Sequence, residues 1–257
     1  CAAARSGKIS PQTQSSVVIS GNSEGFHRWF LINASPDLNR QIESMPRLQP
    51  RRDSPRNSPI AAVLLTNADI DHALGLLLLR EQETPLVVYA ADETRAALAW
   101  LDGVLARFCG IEWRKTSPEF QTLSGTVAFR AIELPRSIAF QFRDDSSGAT
   151  ALFAPSVGEI ADELRNAVHG SNVVLFDGTF WSDGELTAIR PGARSARQMN
   201  HLPISDSLEF LHQSPARRKI YTHINNTNPI LMPSSRERAH VKQAGIEIAR
   251  DGLEIVI

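Results

Sequence analysis

The sequence predicts a mixed α/β fold, and three observations carry that expectation. Short β-rich apolar runs recur along the chain with helix-patterned segments between them. The middle of the chain, "GTVAFRAIEL", "IAFQFRD" and "GATALFAP", is strands alone, so at least two sheet regions are expected. The 257 residues are 42% hydrophobic and 21% charged, ordinary for a chain that buries a sizeable core, and no stretch reads as a domain linker. We therefore expect one domain over residues 1–257.

The elements follow in order. Val17–Ser20 and Trp29–Asn33 are β-rich runs with Gly21, Asn22 and Gly25 between them, the pattern of a hairpin. Met45–Ile60 is rich in proline and arginine and reads as an extended loop. Ile60–Leu65 is continuously apolar, a buried strand, and Ala73–Glu81 reads as the helix after it. "PLVVYA" is a strand, and "DETRAALAWLDGVLARF" one amphipathic helix. Beyond the three middle strands, "GEIADELRNAV" is helical and "NVVLFDGTFW" is a strand with a polar end. "SDSLEFLHQS" is a short helix with Ser205 or Asp206 as its cap. "RRKIYTHINNTNP" is a strand running into a polar loop, and "SRERAHVKQAG" a helix stopped by Gly245. "IEIARDGLEIVI" reads as a closing hairpin through Asp251-Gly252.

Composition excludes several classes of function. A net charge of −1 gives no global field for nucleic acid or an anionic membrane. No apolar run approaches the roughly 18–20 residues that span a bilayer. The 2 cysteines, Cys1 and Cys109, are too few for a disulfide framework, and Cys109 lies among apolar residues as a buried thiol would. There is no nucleophile elbow, phosphate-binding glycine loop or dinucleotide fingerprint.

Chemistry-bearing residues gather where strands end: "VLLTNADIDH", "VVLFDGT" and "KIYTHINNTNP". Such ends are where α/β folds assemble sites on a rigid scaffold. The candidates are Asp69, Asp71, His72, Asp177 and His223, with His201 in "QMNHLPIS". Acids and a histidine set between two apolar runs need compensation, from a metal ion or from a tight hydrogen-bond network. Imidazole with carboxylate suits zinc, iron or manganese. Asn67, Asn225, Asn226 and Asn228 could orient a ligand, although asparagine also favours turns for local backbone reasons. His27, His169, His212 and His240 read as packing or surface residues.

A strand, a polar cluster ending in Asp-His, then a helix resembles the first metal motif of the metallo-β-lactamase superfamily, His-x-His-x-Asp-His in its hydrolases. Here the register reads Asn67-Ala-Asp69-Ile-Asp71-His72, and "YTHINN" puts His223 where the last histidine ligand falls. More narrowly, "PQTQSS", "NASPDL", "SPIAAVLLTNADIDHALGLLLLRE", "APSVGEI", "LFDGTFW", "HLPIS" and "THINNTNPIL" resemble the pyrroloquinoline quinone (PQQ) biosynthesis protein B family. The resemblance implies a metallo-β-lactamase-like αββα sandwich, two mixed β-sheets flanked by helices. It also implies a first strand and a Cys-rich zinc motif ahead of the present start, with Cys1 the last cysteine of a structural zinc site.

Set against the two-metal hydrolases, the resemblance implies that the first metal site is mostly gone. Asn67, Asp69 and Pro135 or Arg136 stand at its histidine positions, and Pro155 at the bridging aspartate. Asp71, His72 and His223 keep the second site, two histidines and a carboxylate, the set of non-haem iron(II) oxygenases. Expected from this are Fe(II) at the active site, with zinc as the alternative, and O2 and a small peptide or amino-acid-derived quinone precursor as partners. The implied reaction is hydroxylation of the tyrosine ring of a Glu-Tyr precursor. The alternatives are a single-zinc hydrolase, and a carrier in transport of PQQ or its precursor to the periplasm. Asp69, Asp177 and His201 are expected in catalytic roles, and Arg136, Asn67 and Asn225 at the substrate. A cytoplasmic protein is expected, with no nucleic-acid or membrane partner and with a homodimer as its assembly.

Overall fold

The computed structural model describes residues 2–21, 28–50, 52, 54 and 56–257. Cys1, His27 and the turn read at Asn22 and Gly25 lie outside the described residues. Strands of the first sheet are β1 (Val17–Ile19), β2 (Trp29–Ile32), β3 (Ile60–Leu64), β4 (Leu86–Ala90) and β5 (Ile111–Lys115), in that order. The second contains β6 (Gln121–Ser124), β7 (Val127–Leu134), β8 (Ser137–Asp144), β9 (Thr150–Ala154), β10 (Val173–Asp177), β11 (Arg218–Thr222) and β12 (Glu247–Ile248). Its order runs from β12 back to β6 without a break. The α/β fold with two mixed sheets is the one expected.

The chain divides into two compact units, and two of the divisions fall within β7 and β8. The first unit comprises Thr13–Ala131 with Asp144–Ser147. β1 and β2 form the expected antiparallel pair, whereas β2 to β5 run parallel. A parallel sheet is normally covered on both faces, which is why β2, β3 and β4 read as unbroken apolar runs. Leu31, Val63, Leu65, Leu76, Val88 and Leu101 build this unit's own core. β5 carries Glu112, Arg114 and Lys115 on the sheet's edge, where charge discourages further pairing.

The second unit comprises Ile132–Arg143 and Gly148–Ile257, with the N-terminal segment to Gln12. β9, β10, β11 and β12 are parallel, and β8 is antiparallel to β9. Leu152, Ala154, Val174, Phe176, Ile204 and Tyr221 pack in a separate core. The parallel register sets Asp177, the last residue of β10, beside Thr222, the last of β11. The functional residues that follow each strand therefore leave the sheet at one level.

Several sequence expectations need correcting. The helix expected over Ala73–Glu81 is a short α-helix, Ile70–Ala73, followed by a 3₁₀ segment, Leu74–Leu79. Gly75 explains the change, because its N–H donates to Ala34 O at 2.8 Å instead of continuing the helical ladder. The contact is so close that a β-carbon on Gly75 would collide with the Ser35 carbonyl. The single helix expected after β4 is two, Asp92–Ala97 and Trp100–Leu105, joined by a turn that keeps Leu98, Leu101 and Leu105 buried. The helix expected at Ser205 starts at Ile204, capped by Pro203 with no side-chain cap bond. The closing hairpin is absent among the described residues. Gly252 makes its turn at φ 72°, but β12 pairs with β11, and Leu253–Ile257 forms no strand. Cys109 is only partly buried, against the edge of the first core. The proline- and arginine-rich loop includes one 3₁₀ turn, Pro46–Leu48.

Candidate metal centre

Each unit carries one half of the expected donors, and each half is ordered by hydrogen bonds that reach the histidines from behind. In the first unit, β3 ends at Leu64 and the chain passes through Thr66-Asn67-Ala68-Asp69 into helix Ile70–Ala73. Asp71 and His72 thus lie in the first turn of a helix rather than in a loop. The backbone here is fixed by His72 O, which accepts from Ala34 N, and by Ala34 O, which accepts from Gly75 N.

His72 is 1% exposed, so its ring needs a partner for any proton it carries. Asn67 Oδ1 lies 2.6 Å from His72 Nδ1, and Thr66 Oγ1 lies 3.1 Å from it. The amide's orientation is set, because Asn67 Nδ2 donates to Asp69 Oδ2 at 2.7 Å while Oδ1 accepts from Asp69 N at 3.1 Å. An amide oxygen can only accept, so Nδ1 of His72 carries the proton and Nε2 holds the lone pair. Nε2 is 3.8 Å from Asp71 Oδ2. Two bonds of about 2.1 Å to one metal reach donors up to ~4.2 Å apart, so the pair fits a shared ion.

In the second unit, Asp177 is fully buried and accepts four hydrogen bonds. Its Oδ1 takes Thr179 N at 3.0 Å and Thr179 Oγ1 at 2.6 Å. Its Oδ2 takes Val157 N at 2.9 Å and His201 Nδ1 at 2.7 Å. Burial by itself would push this carboxyl up, but the attraction and hydrogen bonding of His201 together with Thr179 prevail and hold it below the usual carboxylate range. The donor atoms of Asp177, His201 and His223 lie within 4.8 Å of one another, a spacing that could hold a cation. With both oxygens already engaged twice, Asp177 is instead the anchor of the group, and the rings are its outward face. His201 and His223 stack with centroids 5.4 Å apart.

His223 follows β11 in the left-handed region, at φ 54°. A non-glycine residue there costs about 1–2 kcal/mol, so the surroundings must hold it. Thr179 Oγ1 approaches both its Nδ1, at 2.7 Å, and its carbonyl, at 2.9 Å. Gly178 allows the approach: a β-carbon would lie 2.9 Å from Thr222 O and 2.9 Å from Tyr221 Cβ.

The expected substrate residues are differently occupied. Asn67 has both ends of its amide engaged by His72 and Asp69. Asn225 shapes its own loop, donating from Nδ2 to Thr227 Oγ1 at 2.8 Å and accepting from Asn226 N at 2.9 Å. Asn228 is buried and donates to Gly178 O at 2.9 Å, tying the loop after β11 to the end of β10. Arg136 is exposed at the tip of the turn between β7 and β8, at φ 62°. Thr66 and Thr179 were missed by sequence reasoning. The one available signal was a hydroxyl residue beside each polar strand end.

The described residues include no helix long and apolar enough to cross a membrane. Residues 28–224 match the family model of the beta-lactamase superfamily domain, and the fold is the metallo-β-lactamase fold. Coenzyme PQQ synthesis protein B of Cupriavidus necator is 38% identical, with 100% of this chain and 92% of that protein covered. The protein of the same name from Methylococcus capsulatus is 35% identical over 96% of this chain and 88% of that one. The crystal structure of Zn(2+)-bound PqqB from Methylobacterium extorquens superposes with a TM-score of 0.89 at 30% identity, covering 100% of this chain and 92% of that chain. A diphosphatase of the PhnP family, with a TM-score of 0.69 at 18% identity, shares the fold alone. This chain belongs to the coenzyme PQQ synthesis protein B family.

Proposed function

We propose that the chain is a metal-dependent oxygenase of PQQ synthesis that hydroxylates the tyrosine ring of a Glu-Tyr-derived precursor in the cytoplasm. Asp71, His72 and His223 hold the metal, Fe(II) in the active protein. The observation that carries the one-metal reading is the Asn67 amide. In a two-metal site this position would supply a ligand. Here its oxygen holds His72 and its nitrogen holds Asp69, so the amide is not turned to a second ion. His72, with Nδ1 protonated and so with the lone pair on Nε2, is in the form in which imidazole binds a metal.

Iron in such a set supplies dioxygen chemistry that zinc cannot. The chain's own residues supply the rest. Asp71 brings the negative charge. Asp69 steadies Asn67 and, through it, His72. His201 Nδ1–H rests on Asp177, so Nε2 is the atom that takes a proton from the ring being hydroxylated. Arg136 is proposed to meet a precursor carboxylate, because guanidinium pairs with it bidentately. Asn225 is proposed to turn its remaining hydrogen-bonding capacity to the same precursor, and a homodimer is the proposed assembly.

Oxygen uptake with a Glu-Tyr peptide tests the reading. Iron-loaded protein consumes oxygen and yields hydroxylated tyrosine, and zinc-loaded protein does neither. Hydrolysis of the peptide by zinc-loaded protein under anaerobic conditions would instead establish a single-zinc hydrolase, the reading favoured by the zinc in the Methylobacterium extorquens relative. Full pathway function in His72→Ala and His223→Ala would favour a carrier.

A further inference from the structure

We infer that Thr179 is a positioning residue which commits His223 to one tautomer, protonated on Nδ1, and so decides which nitrogen faces the metal. The inference rests on the metal-binding reading of His223 only for its last step. The hydrogen-bond argument stands without any metal.

Thr179 Oγ1 has one proton and three oxygen or nitrogen neighbours at hydrogen-bond distance. They are Asp177 Oδ1 at 2.6 Å, His223 Nδ1 at 2.7 Å and His223 O at 2.9 Å. The carboxylate is the strongest acceptor and the closest. Sending the proton to the His223 carbonyl would leave the hydroxyl facing a charged carboxylate oxygen at 2.6 Å with no hydrogen between them, a costlier contact than the one to a neutral carbonyl at 2.9 Å. The hydroxyl therefore donates to Asp177. Towards the ring it can only accept, and His223 Nδ1 must be the donor. Thr179 is buried, and its main chain is pinned at both ends. Its N–H donates to Asp177 Oδ1 at 3.0 Å, and its carbonyl accepts from Asn225 N at 3.1 Å.

Asp177 thereby governs both stacked rings, His201 directly and His223 through Thr179. One buried charge sets two imidazoles the same way round, with Nδ1 towards the protein. The two rings differ in partner: His223 Nδ1 meets a hydroxyl oxygen at 2.7 Å, whereas His201 Nδ1 meets the carboxylate itself at 2.7 Å.

Nitrogen-15 NMR of metal-free protein labelled in the imidazole rings tests this first. His223 should show a protonated Nδ1 and an unprotonated Nε2, and Thr179→Ser should keep that pattern. Thr179→Val, which retains the shape and removes the acceptor, should shift His223 towards the Nε2-protonated form. An Nε2-protonated ring in the unaltered protein would overturn the inference, whether or not the valine variant folds. So would a pattern that Thr179→Val leaves unchanged. The second arm is titration with Co(II) followed by its visible absorption. Thr179→Val should weaken binding by about 10–100-fold and Thr179→Ser should not, the usual cost of losing a partner behind a ligand. Equal weakening by serine and valine would overturn the role of the hydroxyl. A tautomer that switches while Co(II) affinity holds would support the positioning role and overturn His223 as a metal donor.

Discussion

Asn67 Oδ1 and His72 Nδ1 are 2.6 Å apart, a hydrogen bond from a buried ring to the residue that stands where a hydrolase of this fold would have a metal ligand. The side chain at that position thus holds the histidine proposed to bind the metal. Asn67→Leu removes the acceptor and also releases Asp69. We expect Co(II) or Fe(II) affinity about 10–100-fold weaker in a protein with unaltered circular dichroism. Unchanged affinity would mean that the bond is incidental.

Asp177 accepts from four donors, Val157 N, Thr179 N, Thr179 Oγ1 and His201 Nδ1. Asp177→Asn places an amide NH2 where one carboxylate oxygen accepted two of them. A buried donor left without an acceptor costs about 1–3 kcal/mol. Urea unfolding should show a loss of that order, whereas a variant as stable as the parent would show that the carboxylate is not the anchor described.

Gly178 lies between this anchor and β11, and its N–H donates to Thr222 O at 2.8 Å. A methyl group there would meet backbone and a β-carbon, neither of which moves cheaply. Gly178→Ala should cost about 1–3 kcal/mol as overpacking and should weaken metal binding as well. The pairing of the two losses is the informative result. Lost stability with full metal affinity would separate the strand spacing from the site.

Arg218 on β11 and Glu247 on β12 form a two-point pair, Nε to Oε1 at 2.8 Å and Nη2 to Oε2 at 2.8 Å. The hydrogen bond from Arg218 holds the Glu247 carboxyl below its ordinary value, against a smaller opposing effect of burial. A depressed carboxyl contributes stability above its unfolded pKa and loses it as pH falls through the folded one. Side chains 33% and 44% exposed limit the contribution to less than about 1 kcal/mol. Glu247→Gln should therefore be slightly less stable than the parent at pH 7, and the gap should close in acid. A gap that widens as pH falls would contradict the assignment.

Much of this was legible in the sequence, for identifiable reasons. β3, β4 and β10 are continuous apolar runs with polar ends, and β11 carries Ile220 and Tyr221 just ahead of a polar loop, so both the strands and the places where donors emerge could be read directly. β5 and β6 could not, because Ile111–Lys115 and Gln121–Ser124 are half-exposed and their pattern is weak. The 3₁₀ segment after His72 was hidden because its cause, Ala34 O, lies far back in sequence from Gly75. Thr179 was hidden for the same reason, its ring partner being 44 residues away. Asn67 was visible as a lost ligand, but only its two hydrogen bonds show what replaced that role.

The most direct test is anaerobic titration of the protein with Fe(II), read as equivalents bound per chain. One equivalent should bind, and His72→Ala and His223→Ala should each abolish it while the fold persists. Two equivalents bound together, or one that survives both substitutions, would contradict a single site held by Asp71, His72 and His223.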